Sequence, residues 1–331
     1  MRLTETILFK LKFRTFSDTL DSMPERNSPD FKIPLAFATV YLVWGSTYIA
    51  IRFAIETIPP FLMAGVRFLC AGSLLYFFAA SKEKVKPSFA QWKSAFLVGA
   101  LLLVGGNGGV VWAEQLVPTG ITALIIATVP LWTVLLEWLW RRQKRPSALV
   151  FLGILIGAAG LWFLVSPETN GVALHPVGVL VLLAAAFSWA LGSIFARNAD
   201  LPQSSFLATG MEMIGGGALM LTLGTLAGEW PQLRLHAISA KSFLSLLYLI
   251  FFGALVGFTA YKYILKRTSP ILSSTYAYIN PVIAVLLGWA LAGEKVTWRI
   301  GVGALIILAG VFLITLSQKE KPSATLEAES V

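Results

Sequence analysis

Arg67 and Glu212 stand inside long apolar runs, where an ionised side chain costs roughly 2.5–3.5 kcal/mol on membrane-insertion scales. A charge kept there has a partner or a function, whether pairing with another charge, carrying a proton, or holding a charged solute. The two are also related by position. Phe61 to Arg67 reads FLMAGVR, and Phe206 to Glu212, 145 residues later, reads FLATGME. Arg67 and Glu212 are therefore expected to pair, directly or through a bound solute, with Glu212 the candidate for proton coupling. A purely structural pair that fixes helix packing is the alternative.

Two amides share these apolar surroundings. Asn107 lies within Gly105-Gly106-Asn107-Gly108-Gly109. Glycines allow close approach of a helix or ligand, and each weakens a helix by roughly 1 kcal/mol relative to alanine. The run neither follows a strand nor ends in Gly-Lys-Ser/Thr, so it is not a phosphate loop. Asn280 directly precedes Pro281. Both amides are candidates for touching a small-molecule substrate, with interhelical hydrogen bonding as the alternative. Most aromatic residues belong to interfacial or lipid-facing belts. Better candidates for lining a path are Trp44, Tyr48, Trp112, Trp132, Trp189, Tyr263, Tyr276 and Tyr278. Trp112 matches Tyr263 at an offset of 151, near opposite ends of their helices, as an outer and an inner gate would. Glu114, at the outer end of its span, is a gate, a contact for a substrate amine, or a solvated helix end. Glu137 precedes Arg141 by four residues, a helical ion-pair spacing, and Lys262 can snorkel to the inner surface.

Other chemistries lack their parts. Ser46, Ser73 and Ser193 follow glycines, but both histidines, His175 and His236, fall in expected loops, and an activated serine needs a base. No His/Cys/Asp/Glu grouping has metal-ligand spacing, and no Walker-type loop exists. We therefore expect no catalytic residues, no metal and no cofactor, and read an intramembrane enzyme as disfavoured. A non-transporting sensor or assembly subunit is disfavoured more mildly, because polar residues at mid-membrane would then serve no purpose. The one cysteine, Cys70, excludes an intrachain disulfide.

These residues must be positioned by membrane helices. The chain is 56% hydrophobic and 13% charged, with mean hydropathy +0.75, and its apolar residues form runs long enough to cross a bilayer. The net charge of +9 sits mostly in short loops, so it reads as topology and not as a nucleic-acid surface. Ten apolar segments are expected, at 34–54, 59–80, 95–114, 119–140, 147–165, 176–197, 204–227, 242–264, 270–292 and 298–316. Inside loops then hold Lys82, Lys84, Lys86, Lys93, Arg141, Arg142, Lys144, Arg145, Lys266 and Arg267. Outside loops hold Arg234, Lys241, Lys295 and Arg299. That asymmetry places both termini in the cytoplasm. Residues 1–33 and 317–331 are cytoplasmic tails, and Met23 is an alternative natural start.

The stretch Val117 to Trp140 returns as Thr268 to Leu291, each copy interrupted by a proline, Pro130 or Pro281. A proline inside a helix removes a hydrogen bond and kinks it. Both kinks lie eleven residues into their spans, about 16 Å at 1.5 Å per residue, near the middle of a ~30 Å hydrocarbon core. Trp44 matches Trp189 and Arg52 matches Arg197 at an offset of 145, while Gly153 and Gly160 match Gly303 and Gly310 at 150. Residues 34–165 and 176–316 thus form two five-span repeats. An odd number of spans inverts the second copy, giving an all-α polytopic membrane protein of ten helices in two inverted repeats, with a site at their interface.

This layout resembles the EamA type of the drug/metabolite transporter superfamily over residues 34–316. The resemblance rests on Trp44-Gly45-Ser46, Arg67, the mid-span prolines and Gly293-Glu294. It implies a ten-helix carrier, commonly an exporter of small metabolites such as amino acids, with spans five and ten outside the central cavity. A bacterial-type cytoplasmic membrane follows from the same likeness. The first repeat departs from the pattern: Arg141-Arg142-Gln143-Lys144-Arg145 stands where the family carries Gly-Glu, which weakens any transport role for the glutamate of this loop.

Overall fold

The computed structural model describes residues 31–83, 86–139, 146–166, 174–268 and 276–317. From Ala36 onward the described residues belong to one compact unit. Regular structure among the described residues is entirely helical: α1 (Lys32–Ala54), α2 (Pro60–Glu83), α3 (Phe89–Gly99), α4 (Gly109–Ala113), α5 (Thr119–Ile126), α6 (Val129–Leu139), α7 (Ala148–Val165), α8 (Pro176–Ala196), α9 (Ser205–Leu226), α10 (Ala240–Tyr248), α11 (Gly257–Arg267), α12 (Tyr276–Ala292) and α13 (Trp298–Ser317). Seven helical stretches are long and apolar enough to cross a membrane, three of them (Phe89–Ala113, Thr119–Leu139 and Ala240–Tyr261) running over more than one of these elements, and three shorter apolar helices accompany them.

Local sequence sets the helix starts. Ser88 Oγ accepts the N–H of Gln91 at 3.1 Å while Gln91 Oε1 accepts that of Ser88 at 3.0 Å, a reciprocal cap for α3. Ser204 and Ser239 cap α9 and α10. α2 and α8 open on proline, whose missing N–H is not needed in a first turn.

Two stretches, Ala100–Gly108 and Leu249–Val256, wind as π-helix and join α3 to α4 and α10 to α11. The wider coil leaves carbonyls free to take side-chain donors. Leu101 O accepts Ser188 Oγ at 2.8 Å, and Gly253 O accepts Trp44 Nε1 at 3.3 Å. The glycine run around Asn107 was expected to allow close approach, and it does: a Cβ on Gly106 would lie 2.8 Å from the Trp189 ring.

Glycine also sets the closest helix crossings. α2 and α9 run antiparallel, and a Cβ on Gly72 would lie 2.9 Å from Gly210 O, one on Gly210 3.1 Å from Gly72 O, and one on Gly217 3.0 Å from Gly65 O. α7 and α13 cross the same way, with Gly153 against Gly310 O at 2.7 Å and Gly310 against Gly153 O at 2.6 Å. Small residues let backbones meet where lipid offers no hydrophobic drive to associate.

The two mid-span prolines act differently. Before Pro130 the helix breaks into α5 and α6, because Thr128 turns back on Ile125 O with both its N–H (3.1 Å) and its Oγ1 (2.6 Å). Pro130 then sits in the first turn of α6, where its missing N–H is not needed. Pro281 lies inside a continuous α12, where Ile279 stands in the place of Thr128 and has no hydroxyl. The expected pair of kinks is therefore one break and one proline-bearing helix.

Candidate functional site

α1, α2, α4, α5, α6, α8, α11, α12 and both π stretches line a cavity of about 170 Å³. Its aromatic wall is a cluster around Trp44, whose ring meets Phe258 at 5.5 Å, Tyr261 at 5.0 Å and Tyr276 at 5.1 Å. Donation from Trp44 Nε1 to Gly253 O fixes that ring. The next two residues have separate duties. Gly45 admits Ile283, whose side chain would lie 2.7 Å from a Cβ there. Ser46 Oγ bonds Leu42 O at 2.6 Å and the Tyr248 hydroxyl at 2.7 Å, tying α1 to α10.

Arg67 is 4% exposed and lines the cavity, with its guanidinium 4.7 Å from the Phe68 ring. Gly253 makes room for it: a Cβ there would lie 3.2 Å from Arg67 Nη2. Arg67 Nε and Nη1 have no hydrogen-bond partner among the described residues, and neither has the Oδ1 of buried Asn280 on the facing helix. Behind the wall, Glu114 is 1% exposed and both its carboxyl oxygens lack a partner among the described residues. Its backbone carbonyl accepts Arg52 Nη1 at 2.9 Å, and its charged neighbours are Glu294, Arg52 and Arg67. Buried polar groups without partners are the exception in folded proteins and mark places where something else binds or titrates.

Of the residues singled out from sequence, Trp44, Tyr48, Arg67, Asn107, Pro130, Trp189, Tyr276, Asn280 and Pro281 line this cavity. Trp112, Trp132, Tyr263 and Glu212 do not. Trp112 packs into the main core, Trp132 sets its ring edge-on to Phe187 at 5.6 Å, and Tyr263 lies 4.0 Å beneath the Arg267 guanidinium. The side chains of Tyr278 and Lys262, and all of Arg141, lie outside the described residues. Glu137 bonds Arg197 Nη1 at 2.6 Å. Arg67 and Glu212 are not brought together. The glycine contacts put Arg67 level with Gly217 and Glu212 level with Gly72, about five residues or ~7 Å apart along the helix axis. Equivalence by repeat set the two positions symmetrically about the crossing, one to each side of it. Glu114, not Glu212, is the acid whose charge Arg67 feels.

Thr47, Phe68 and Phe258 also line the cavity and were not anticipated. Phe258 stands 151 residues after Asn107, so the repeat offset carried the signal. Thr47 lies one helical turn from Trp44, and Phe68 adjoins Arg67.

A helical, membrane-crossing chain whose cavity draws on both halves of its sequence belongs to the class of membrane transporters. Residues 32–166 and 176–316 each match the model of the EamA-like transporter family; the chain belongs to that family. It is 39% identical over 298 residues, 88% of this chain and 94% of the other, to the uncharacterized inner membrane transporter YedA of Escherichia coli K12. It is 28% identical over 296 residues, 83% of this chain and 91% of the other, to a protein of Salmonella typhimurium named "Probable amino-acid metabolite efflux pump". One solved crystal structure superposes with a TM-score of 0.59 at 21% identity, covering 87% of this chain and 99% of that one. That likeness concerns the fold alone.

Proposed function

We propose that the protein is a secondary transporter that exports a small metabolite, of which amino acids are one class, by alternating access at the cavity between its two halves. The observation that carries this reading is that residues at matching positions of the two halves face one cavity: Trp44 with Trp189, Pro130 with Pro281, and Asn107 with Phe258.

An inverted arrangement is supported by the glycine crossings. Gly65 and Gly72 match Gly210 and Gly217 at an offset of 145, and the contacts are Gly65 to Gly217 and Gly72 to Gly210. Such an exchange, in which i meets the mate of j and j meets the mate of i, is what a two-fold axis produces. Gly153 and Gly160 against Gly303 and Gly310 repeat the exchange at an offset of 150. α7 and α13, of 18 and 20 residues, are about 27 and 30 Å long, enough to cross a ~30 Å core; on this reading ten spans cross the membrane. Alternating access is supported by a difference between the halves. α8 packs closely along the first π stretch, α5 and α6, whereas its counterpart α1, among the described residues, meets its neighbours mainly through side chains, Trp44 on Gly253 and Ser46 on Tyr248. One half is then the tight arrangement and the other the loose one, and transport exchanges them. The basic inside loops support both termini in the cytoplasm, and the E. coli relative's name points to the inner membrane.

Counterflow of labelled amino acids and purine metabolites into liposomes holding the purified protein tests this reading. Saturable uptake that heat denaturation abolishes is the expected result. Absence of movement for any solute over a broad panel, with no ligand-induced thermal shift in a wider library, would overturn it.

A further inference from the structure

We propose that Arg67 is the subsite for a carboxylate of the transported solute, and that Glu114 takes up a proton as that carboxylate binds. The coupling rests on the carrier reading above for its direction across the membrane, but its chemistry resides in the protein at rest.

Arg67 keeps its charge at any accessible pH, because a guanidinium does not give up its proton. Buried to 4% exposure, with two of its nitrogens unpartnered among the described residues and facing a cavity, it is placed to take the planar, acceptor-only group that arginine binds best. The cavity walls select what carries that group. Trp44, Phe258 and Tyr276 offer apolar ring faces, and Asn280 Oδ1 is an unused acceptor aimed at a donor on the solute. At about 170 Å³ the cavity falls short of the ~300–1,000 Å³ usual for drug-sized ligands. The chemistry fits a small aromatic or apolar monocarboxylate bearing one N–H or O–H donor.

The link to Glu114 follows from counting buried charge. The charged and titratable groups around Glu114 are Arg52 and Tyr48 from α1, Arg67 from α2, and Glu294 from the turn after α12. Glu294 is engaged elsewhere, because its two oxygens accept the N–H groups of Thr119 and Gly120. Arg52 is committed to the Glu114 backbone carbonyl. Arg52 is exposed and Glu294 only partly buried, so the buried charges are those of Arg67 and Glu114, which balance when Glu114 is ionised. With a solute carboxylate on Arg67 as well, one negative charge is in excess among the buried groups, and unbalanced buried charge is strongly penalised. A proton from solvent added to Glu114 restores the balance. Occupation of Arg67 by a carboxylate therefore shifts Glu114 toward its neutral form.

Infrared difference spectroscopy of the full-length protein in lipid nanodiscs tests this, with benzoate as the probe and benzamide as its uncharged isostere. At constant pH, benzoate is expected to raise the C=O absorption of a protonated carboxylic acid in the wild type. It should do so neither in Glu114→Gln nor in Arg67→Met, and benzamide should have no effect. Benzoate-induced thermal stabilisation should need at least about tenfold more ligand in Arg67→Met. If Arg67→Met does not fold, Arg67→Lys keeps the charge, and should bind benzoate more weakly while still protonating Glu114. Failure of benzoate to bind, binding without the acid band, a band that survives in Glu114→Gln, or an equal response to benzamide would each overturn the proposal. Counterflow reports separately on the carrier reading. A normal infrared response with no solute moved would sink that reading alone, whereas solute movement with a silent Glu114 would sink this one.

Discussion

Glu294 Oε1 accepts the backbone N–H of Thr119 at 2.6 Å, joining the end of α12 to the start of α5 across 175 residues of chain. Its other oxygen takes the N–H of Gly120 at 3.1 Å. Glu229 does the same for α2, accepting from Phe61 at 3.1 Å and Leu62 at 2.8 Å. In each case the first turn of a helix that begins beside a proline finds its acceptor on another segment, where a carboxylate also meets the positive end of the helix dipole. Replacing Glu229 by alanine leaves those N–H groups unpaired at a position 4% exposed, and is expected to cost about 1–2 kcal/mol. Glu294→Ala should cost somewhat less, since that residue is only partly buried. Thermal unfolding in detergent micelles measures both.

Each glutamate follows a glycine in the left-handed region, Gly228 at φ 70° and Gly293 at φ 65°. Neither glycine has an atom within 4 Å of where a Cβ would lie, so any penalty is backbone strain without a clash. Alanine at either site is expected to destabilise by about 1–2 kcal/mol. Asparagine, which tolerates this conformation, should recover most of that in the same unfolding assay.

Contact geometry separates two further glycines. Gly72→Val would press side-chain atoms on Met213 Cβ, Ile214 N and Gly210 O, all within 2.9 Å of a Cβ at that position, and is expected to cost at least about 1–3 kcal/mol. Gly301, in α13, has open space around it, and Gly301→Ala should be neutral or stabilising by up to about 1 kcal/mol. Comparison of melting temperatures decides it; equal effects would show that the α2–α9 crossing is looser than the contacts state.

The Glu137–Arg197 ion pair, with side chains 21% and 59% exposed, should contribute little. Glu137→Gln is expected to change stability by less than about 1 kcal/mol, with an effect that fades at high salt. Tyr248→Phe removes a shorter-range tie between α10 and Ser46 of α1 and should cost about 0.5–1.5 kcal/mol regardless of salt. A salt series on the two variants separates the cases.

Much of this was readable from the chain because it is written twice. The offset of 145 located Trp44 and Trp189 and could have located the α2–α9 glycines, and the offset of 151 could have located Phe258 from Asn107. What the repeat could not convey was depth and facing. Arg67 and Glu212 are true counterparts, yet counterparts about a crossing stand on opposite sides of it, and only the helix register shows this. Glu114 was legible as an acid at the end of a span, but its burial and the reach of Arg52 from α1 to its backbone carbonyl are features no local pattern announces. Gly293-Glu294 stood out by family resemblance. Gly228-Glu229 plays the same part at a position unrelated by either offset, so neither likeness nor repetition could single it out.

The π-wound stretches have a rotational consequence. A coil closed by i to i+5 bonds advances fewer degrees per residue than one closed by i to i+4, so the winding of Ala100–Gly108 sets the angular phase of everything after it. Asn107 faces the cavity, and Glu114 is turned toward Arg52, only at this phase. Rewinding the same residues as α-helix would swing α4 about its own axis, carry Glu114 away from the arginines and lengthen the span. The second stretch, Leu249–Val256, stands in the same relation to Phe258 and Tyr261. Each π stretch thus sets, at the level where the cavity lies, which side chains of the helix beyond it are turned inward.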